Sequence, residues 1–342
     1  MPSVETKAIS KNFGKVTALD SVSISIRDGE YAVLLGPSGC GKTTLLKAIA
    51  GIINPSSGSV LINGSDVTSL PPEDRGIGFI FQNYALFPHM SVLDNARYGL
   101  IARGSEPGKA AKIAREMLSL VMLEGRDDDL PAHLSGGMQQ RLAVSRAIAT
   151  GSHLMFLDEP LSALDAKLAS ELRVELRRMI KERGLTALHV THSQEEAMML
   201  ADKIIVMRAG TVQQVGTPAE IYNQPANLFV AGFIGAPNFL LAAVKNGSTE
   251  LLGKTVRVKL EDGEYVAMLR QEHVLFGTGI PAKITNSRLM GPYTSYEVDA
   301  GDQHLVVRSR EQLSGSVHIS FDEQKVIFFP YPARGLEAEL SI

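Results

Sequence analysis

The segment from Gly36 to Thr44 constrains this chain more than any other stretch of its sequence. It reads Gly-Pro-Ser-Gly-Cys-Gly-Lys-Thr-Thr and matches the phosphate-loop pattern G-x-x-x-x-G-K-[ST]. An apolar strand-like run, residues 31–35, precedes it, and a helix-like run, residues 45–50, follows it. In that setting, backbone N–H groups and the positive end of the helix point at an anion. The segment therefore predicts a nucleoside triphosphate site rather than a glycine-rich turn that binds nothing.

Two side chains of this loop have specific expected roles. Lys42 would neutralise the β- and γ-phosphates, and the Thr43 hydroxyl would be a magnesium ligand. Cys40 is the only cysteine of the chain, so no internal disulfide is possible. Its place in the loop predicts that thiol alkylation inhibits and that bound ATP protects. The predicted ATP-binding positions of the loop are Gly36, Pro37, Ser38, Gly39, Cys40, Gly41, Lys42, Thr43 and Thr44.

Composition excludes some classes of protein. A chain of 342 residues with 44% hydrophobic and 21% charged residues resembles an ordinary soluble protein of two domains. The net charge of −3 gives no electrostatic reason to expect nucleic acid as a partner. Residues 228–244 are mostly apolar, but Pro237-Asn238 would break a spanning helix there. We therefore expect a buried junction at residues 228–244 and no membrane span.

The order of strand-like and helix-like segments predicts the fold class. Strands alternate with helices after the phosphate loop, which indicates an α/β domain on a mainly parallel sheet. We expect an antiparallel β subdomain in it and a helical subdomain at about 83–150. Short strand-like segments with glycine turns follow residue 240 and predict a small all-β barrel or sandwich. The predicted domains are residues 1–238 and 239–342.

Polar residues at the ends of three predicted strands carry the expected chemistry. Asp158 and Glu159 follow the apolar run 154–157. Asp158 is suited to hold magnesium through water, and Glu159 to orient or deprotonate an attacking water. The alternative is that the two acids only cap a helix. Gln82 is placed to sense the metal or the water, and His192 to hydrogen-bond the γ-phosphate, although either residue taken alone is more often structural.

The segment Ser135 to Gln139 indicates a second anion site. Ser-Gly-Gly opens a predicted helix at 138–149 and so presents a helix N-terminus to an anion. One triphosphate cannot easily use two such sites of one compact subunit. A symmetric dimer resolves this, with each nucleotide between the phosphate loop of one copy and the Ser-Gly-Gly of the other.

Together these motifs, in this order, resemble the ATP-binding subunits of ABC transporters. The resemblance implies that Phe13 stacks on adenine, that residues 36–44 form the Walker A loop, and that Gln82 is the Q-loop glutamine. It also implies that Thr43, Gln82 and Asp158 surround Mg²⁺, with Asp158 acting through water. ATP and Mg²⁺ are therefore the expected substrate and cofactor.

The resemblance assigns the remaining motif residues as well. Glu159 would be the catalytic glutamate and His192 the switch histidine, with Gln82 assisting. Asp165 would be the D-loop residue, contacting the nucleotide of the other copy. One departure is Ser193, where the family often carries aspartate. The signature motif acting across the dimer would comprise Ser135, Gly136, Gly137, Met138 and Gln139.

The C-terminal half resembles the importer branch of this family. Residues 216–222 and 229–238 are similar to its domain junction, and the β-rich tail is similar to its OB-like TOBE domain. The resemblance implies a homodimer on the cytoplasmic face of the membrane, with two permease subunits and, indirectly, an extracytoplasmic solute-binding protein. The run 81–90 favours a polyamine, ferric iron or phosphonate as cargo, with sugar or sulfate as alternatives.

Rival functions from other classes fit the sequence less well. A soluble ABC ATPase acting on DNA would need a long coiled-coil insertion, and a ribosome-acting one usually has two cassettes in one chain. A regulator that binds ATP without turnover is disfavoured because Glu159 and His192 are both present. No nucleic-acid partner is expected.

Overall fold

The computed structural model describes residues 2–81, 83–161 and 166–341, with only the backbone at positions 166 and 168. These residues divide into two compact units, one ending at Ile221 and the other starting at Tyr222. No helix in the described ranges is long and apolar enough to cross a membrane.

The first unit contains strands and helices of both predicted subdomains. In chain order they are β1 (Val4–Phe13), β2 (Val16–Val22), β3 (Ser25–Ile26), β4 (Tyr31–Leu35), α1 (Lys42–Ile49), β5 (Ser57–Ile62), β6 (Ser65–Asp66), β7 (Ile77–Ile80), α2 (Val92–Ala102), α3 (Pro107–Leu120), α4 (Gly136–Ala149), β8 (Leu154–Asp158), α5 (Ala166–Glu182), β9 (Thr186–Thr191), α6 (Gln194–Leu200), β10 (Lys203–Arg208) and β11 (Thr211–Gly216). The helix α7 (Pro218–Asn223) crosses the boundary between the units.

The central sheet of this unit has the order β11-β10-β4-β9-β8-β7. Its neighbours are parallel except for the antiparallel pair β10/β11. Every residue of β4, β8 and β9 is buried, as expected for strands covered on both faces. The predicted α/β class with a mainly parallel sheet is confirmed, and the carboxyl ends of β4, β8 and β9 lie side by side at one edge.

Two further parts complete the unit. The strands β2-β1-β5-β6 form an antiparallel sheet, with β3 also paired to β1. One cluster of buried apolar side chains joins this sheet, α1 and the central sheet, and it includes Ile9, Leu46 and Phe156. The helices α2, α3 and α4 pack on one another between β7 and β8 in sequence, within the range predicted to be helical.

The second unit is mainly antiparallel β structure. It contains α8 (Leu228–Phe233), β12 (Asn238–Val244), β13 (Ser248–Leu251), β14 (Lys254–Arg257), β15 (Gly263–Leu269), β16 (Val274–Leu289), β17 (Thr294–Ala300), β18 (Gln303–Ser309), β19 (Ser316–Phe321), β20 (Ile327–Pro330) and α9 (Leu336–Leu340). The sheet orders are β12-β15-β20, β13-β14 and β18-β17-β16-β19.

The division at 221/222 differs from the predicted boundary at 238/239. The reason lies in α8, whose Leu228 and Ala231 pack against Val266, Met268 and Phe329 of the β-rich unit. The stretch 228–244, expected to be a buried junction, is thus a short helix followed by a strand of the second unit.

Candidate functional site

A cleft of about 530 Å³ opens at the carboxyl ends of β4, β8 and β9. Ligands of open parallel sheets bind at this edge. The cleft brings together predicted residues from three separate parts of the chain. Its lining consists of Ala18, Ser38, Gly39, Gly41, Lys42, Thr43, Thr44, Glu159 and His192.

The loop between β4 and α1 can follow its path only with glycine at two positions. A Cβ at Gly36 would lie 2.4 Å from the carbonyl oxygen of Met207, and one at Gly41 would lie 2.5 Å from that of Ala18. Gly41 also has a φ of +104° and stands at the N-cap of α1. The loop therefore brings its backbone, rather than side chains, against the start of the helix, as a phosphate-binding loop requires.

The ammonium group of Lys42 lies inside this loop. Lys42 is only 5% exposed, and its Nζ donates to the carbonyl oxygens of Gly36 and Pro37, each at 2.8 Å. No carboxylate of the described residues forms an ion pair with it. Cys40 Sγ lies 3.8 Å from the same Nζ. A buried cation that neutral groups solvate attracts an anionic group strongly.

Thr43 and Asp158 present the oxygen ligands that magnesium prefers. The Thr43 hydroxyl donates to Asp158 Oδ1 at 2.9 Å, and Asp158 is 3% exposed. Burial raises the pKa of Asp158, while the hydrogen bond from Thr43 opposes this rise. A magnesium ion in a nucleotide site needs only one or two protein ligands beside phosphate and water oxygens. The pair therefore fits Mg²⁺.

Glu159 is held in an unusual backbone conformation beside the cleft. Its φ is +48°, in the left-handed region that non-glycine residues rarely occupy, and its N–H donates to Val190 O at 3.0 Å. Its Oε2 lies 3.4 Å from Nδ1 of His192, whose side chain is 62% exposed. Such strain concentrates at functional sites. The structure thus places the predicted general base and the predicted switch histidine next to each other.

The turn that carries His192 is fixed by residues that sequence reasoning missed. The Thr191 hydroxyl donates to Glu196 Oε2 at 2.6 Å and accepts from the N–H of Ser193 at 3.0 Å. Ser193 in turn caps α6 by accepting from the N–H of Glu196. The spacing Ser193-x-x-Glu196 is a capping-box pattern, a signal that could have identified this network from the sequence.

Cys40 is less accessible than its place in the loop predicted. It is 4% exposed, and burial raises the pKa of its thiol although Lys42 lies nearby. Reactive cysteines are exposed and have a lowered pKa. A reagent would therefore reach this thiol only slowly, and the expectation that its alkylation inhibits and that ATP protects stays a prediction.

Some predicted residues lie away from the cleft or outside the described chain. Phe13 is 52% exposed at the end of β1, with Lys11 Nζ 5.1 Å from its ring centroid. Gln82 and Asp165 lie outside the described residues. Among the described residues that line the cleft, none belongs to the segment Ser135–Gln139.

That segment begins α4 and leaves a donor available. Ser135 is the N-cap of α4, and its Oγ accepts from the N–H of Met138 at 3.4 Å. Gln139 Nε2 donates to Pro131 O at 2.9 Å. A serine hydroxyl that accepts a capping bond can still donate its own proton. The Ser135 side chain is thus able to donate to an anion at the N-terminus of α4.

The β-rich unit contains a larger cleft, of about 680 Å³, without a comparable set of groups. It is lined mainly by aliphatic and glycine residues, with Glu250, Asp302 and Gln303 as its polar side chains. The cleft at the carboxyl ends of β4, β8 and β9 is the better candidate for catalysis. Its lining combines the cation of Lys42, the carboxylate of Glu159 and the imidazole of His192, and its Thr43 is hydrogen-bonded to the buried Asp158.

Comparison with known proteins shows the family of this chain. Residues 19–162 match the ABC transporter family model. The Fe(3+) ions import ATP-binding protein FbpC of Brucella abortus is 39% identical over 98% of this chain and 97% of its own. The spermidine/putrescine import ATP-binding protein PotA of Mesorhizobium japonicum is 43% identical, covering 89% and 86%. The sulfate/thiosulfate import ATP-binding protein CysA 2 of Chromobacterium violaceum is 49% identical, covering 73% and 68%.

A solved structure gives the same result for the fold. The ATP-binding cassette MJ0796, in a dimeric post-hydrolysis state bound to ADP and Pi, superposes with a TM-score of 0.59 and 32% identity. It covers 63% of this chain and 98% of its own. From the extent and identity of these matches, the chain belongs to the ATP-binding subunits of ABC import systems and is an ATPase.

Proposed function

We propose that two copies of this chain close around two ATP molecules and, by hydrolysing them, drive import through two separate permease subunits. The observation that carries this proposal is the split between the two anion sites. Lys42, Thr43, Glu159 and His192 surround one cleft, whereas the Ser135–Gln139 segment lies outside it. A second copy would supply that segment to the nucleotide, and Asp165 would join it there.

We assign the steps of one turnover to the side chains as follows. Lys42 and the loop N–H groups hold the β- and γ-phosphates, and Phe13 stacks on adenine. Thr43 and Asp158, the latter through water, would hold Mg²⁺ together with Gln82, and the ion would neutralise charge on the phosphates. Glu159 accepts the proton of the water that attacks the γ-phosphorus, and His192 hydrogen-bonds the γ-phosphate. The bond to the β-phosphate bridging oxygen breaks, giving ADP and phosphate.

The change of state drives transport. ATP links the two copies only in the closed dimer, and its hydrolysis removes that link. We place residues 83–89 in contact with a cytoplasmic helix of the permease, on the cytoplasmic face of the membrane, and residues 239–342 as a TOBE-like accessory domain. A solute-binding protein outside the cell would deliver the cargo.

The cargo we propose is a polyamine, ferric iron or a phosphonate. Two of the three relatives above are named for import of Fe(3+) ions and of spermidine/putrescine. Sulfate remains the alternative because the third is named for sulfate/thiosulfate import. Co-purification of the permease and competition for uptake by each candidate cargo would decide between them.

The closed dimer is tested by Glu159→Gln, which keeps the side chain's size and removes the base. We expect this variant to form a stable dimer with ATP and Mg²⁺ by size-exclusion chromatography with light scattering, because binding persists while hydrolysis stops. Adding Lys42→Ala to it should abolish the dimer and tight ATP binding. A Glu159→Gln protein that stays monomeric at saturating ATP would refute the two-copy site.

A further inference from the structure

Residues 84–91 connect β7 to α2 without regular secondary structure, and their backbone begins in a costly conformation. Tyr84 has a φ of +61° and Ala85 a φ of +48°. Two consecutive non-glycine residues in the left-handed region are strained. Such a conformation persists only when surrounding contacts hold it.

Arg146 of α4 supplies those contacts. Its Nη1 donates to Ala85 O at 2.7 Å and its Nη2 to Tyr84 O at 2.9 Å. Its guanidinium carbon lies 5.3 Å from the centroid of the Phe87 ring. Among the described residues, no carboxylate forms an ion pair with Arg146. Within the described residues, the Arg146 guanidinium therefore donates its hydrogen bonds to the two strained residues.

A second side chain holds the other half of the segment. Asn95 of α2 is fully buried, accepts from the N–H of Phe87 at 2.9 Å, and donates to the carbonyl oxygens of Phe87 and Met90 at 3.0 Å. The Phe87 ring also packs on Tyr98, with centroids 4.5 Å apart. The Asn95 contacts anchor the segment to α2, and the Arg146 contacts anchor it to α4.

The position of Arg146 on α4 makes its contacts with residues 84–91 important. The helix has 14 residues, begins at the Ser135 cap and is about 21 Å long. Arg146 stands roughly three turns from Ser135 on the same rigid element. Any displacement of the helix N-terminus therefore displaces the Tyr84 and Ala85 carbonyls, because a guanidinium fork fixes both distance and orientation.

We propose that Arg146 is a positioning residue that transmits the state of the Ser135–Gln139 end of α4 to residues 84–91, and so makes ATP hydrolysis responsive to the permease. This inference rests on the proposed function, since it assumes that residues 83–89 contact the membrane subunits. It assigns the coupling to one side chain that contacts neither nucleotide nor permease in the proposed complex.

The same helix offers a matched control. Arg141 also donates to two carbonyl oxygens, those of Val121 at 3.1 Å and Met122 at 3.2 Å, but these follow α3. Replacing Arg141 removes a clamp of the same kind from the same helix and leaves residues 84–91 untouched. Differences between the two variants then report on the clamped segment rather than on general loss of packing.

The test measures ATPase rates of the isolated subunit and of its complex with the co-purified permease. For Arg146→Ala we expect a basal rate within about twofold of wild type and a permease-induced stimulation lowered about tenfold, within the range of allosteric coupling. Arg146→Lys should be intermediate, because an ammonium cannot form the planar two-bond fork. Arg141→Ala should keep the wild-type ratio of stimulated to basal rate.

A wild-type ratio in Arg146→Ala, or an equal loss in Arg141→Ala, would overturn the inference while leaving the proposed function intact. A wild-type subunit that no permease binds or stimulates would instead refute the proposed function. If Arg146→Ala does not fold, hydrogen exchange of the wild-type amides 84–91 decides. ATP-induced dimerisation should change their protection, and unchanged exchange would overturn the inference.

Discussion

The buried end of β9 shows how single side chains shape the site. His189 is completely buried, and its Nδ1 lies 3.0 Å from the Tyr31 hydroxyl. Its Nε2 lies 3.8 Å from Glu196, the residue that holds Thr191 beside the switch histidine. Buried polar contacts of His189, Glu196 and Thr191 thus hold the end of β9 from which His192 follows.

Acid sensitivity should follow from His189. Burial lowers the pKa of His189 to about 3, so between pH 6.5 and 3 the unfolded chain binds a proton that the folded protein does not. The free energy of unfolding therefore decreases as the pH is lowered through this range. This group contributes a slope of up to about 1.4 kcal/mol per pH unit. His189→Asn should reduce the slope of the unfolding free energy against pH, measured by urea unfolding, by the equivalent of about one bound proton.

The exposed His153 gives a control for this measurement. His153→Asn should leave the pH dependence of unfolding close to that of wild type. An equal slope in wild type and His189→Asn would show that His189 is not held neutral in the folded protein.

At the scale of single residues, the sequence predicted the groups that act on the nucleotide but not the groups that hold them. Lys42, Asp158 and Glu159 were found because motifs fix their spacing. Tyr31, His189 and Arg173 belong to β4, β9 and α5, and only the folded chain brings them together around Glu196, whose Oε1 lies 3.6 Å from Arg173 Nε. Ser193-x-x-Glu196 differs from these, because capping is a local pattern that the sequence alone could have shown.

At the scale of elements, the C-terminus of α1 depends on one arginine. Arg75, at the end of a short 3-10 helix before β7, is 5% exposed. Its guanidinium donates to the carbonyls of Ala48 and Ile49 in α1 and of Thr68 and Leu70. Arginine at a helix C-terminus also opposes the negative end of the helix dipole. The helix that carries Lys42 is thereby tied to the segment between β6 and β7.

Removing this tie should destabilise the protein. Arg75→Met keeps much of the side-chain volume but removes the arginine hydrogen bond from four carbonyl groups, of which Ala48 O keeps the N–H of Gly51 as a donor. We expect a loss of about 3 kcal/mol in the free energy of unfolding, measured by urea denaturation.

Arg97 provides the comparison because it is a partly exposed arginine in an ion pair with Asp94 on α2. Arg97→Met should change stability by no more than about 0.5 kcal/mol. Equal effects of the two substitutions would show that the buried Arg75 contacts contribute little.

Local signals mark some elements clearly. Ser193 caps α6, and the β10/β11 hairpin turns at Ala209-Gly210. In β16, by contrast, Gly277, Gly279 and Pro281 are residues that usually interrupt a strand. The structure instead has an irregularity in the pairing of β16 with β19 between Phe276 and Ile280, and the strand runs through it.

At the scale of the whole molecule, the observed division at 221/222 differs from the boundary at 238/239 that the sequence predicts. The stretch 222–238 follows directly on the helices of the first unit, and no composition change marks a boundary there. Only tertiary packing shows that the apolar face of α8 belongs with β15 and β20.

Truncation tests this division. A chain of residues 1–238 retains Leu228 and Ala231 without the side chains that bury them, whereas a chain of residues 1–221 lacks α8. We expect residues 1–238 to bind more hydrophobic dye and aggregate at lower concentration than residues 1–221. The reverse order of solubility would support the boundary at 238/239.

The hydrogen bonds of the Lys42 ammonium to its own loop have a consequence for selectivity among nucleotides. Gly36 O and Pro37 O already solvate this cation, so a ligand gains from it only by offering a better acceptor. The β- and γ-phosphates of ATP are such acceptors, whereas AMP has neither. A ligand must replace these carbonyl contacts of Lys42 in order to bind. We therefore expect ATP and ADP to compete for the cleft, and AMP and adenosine not to.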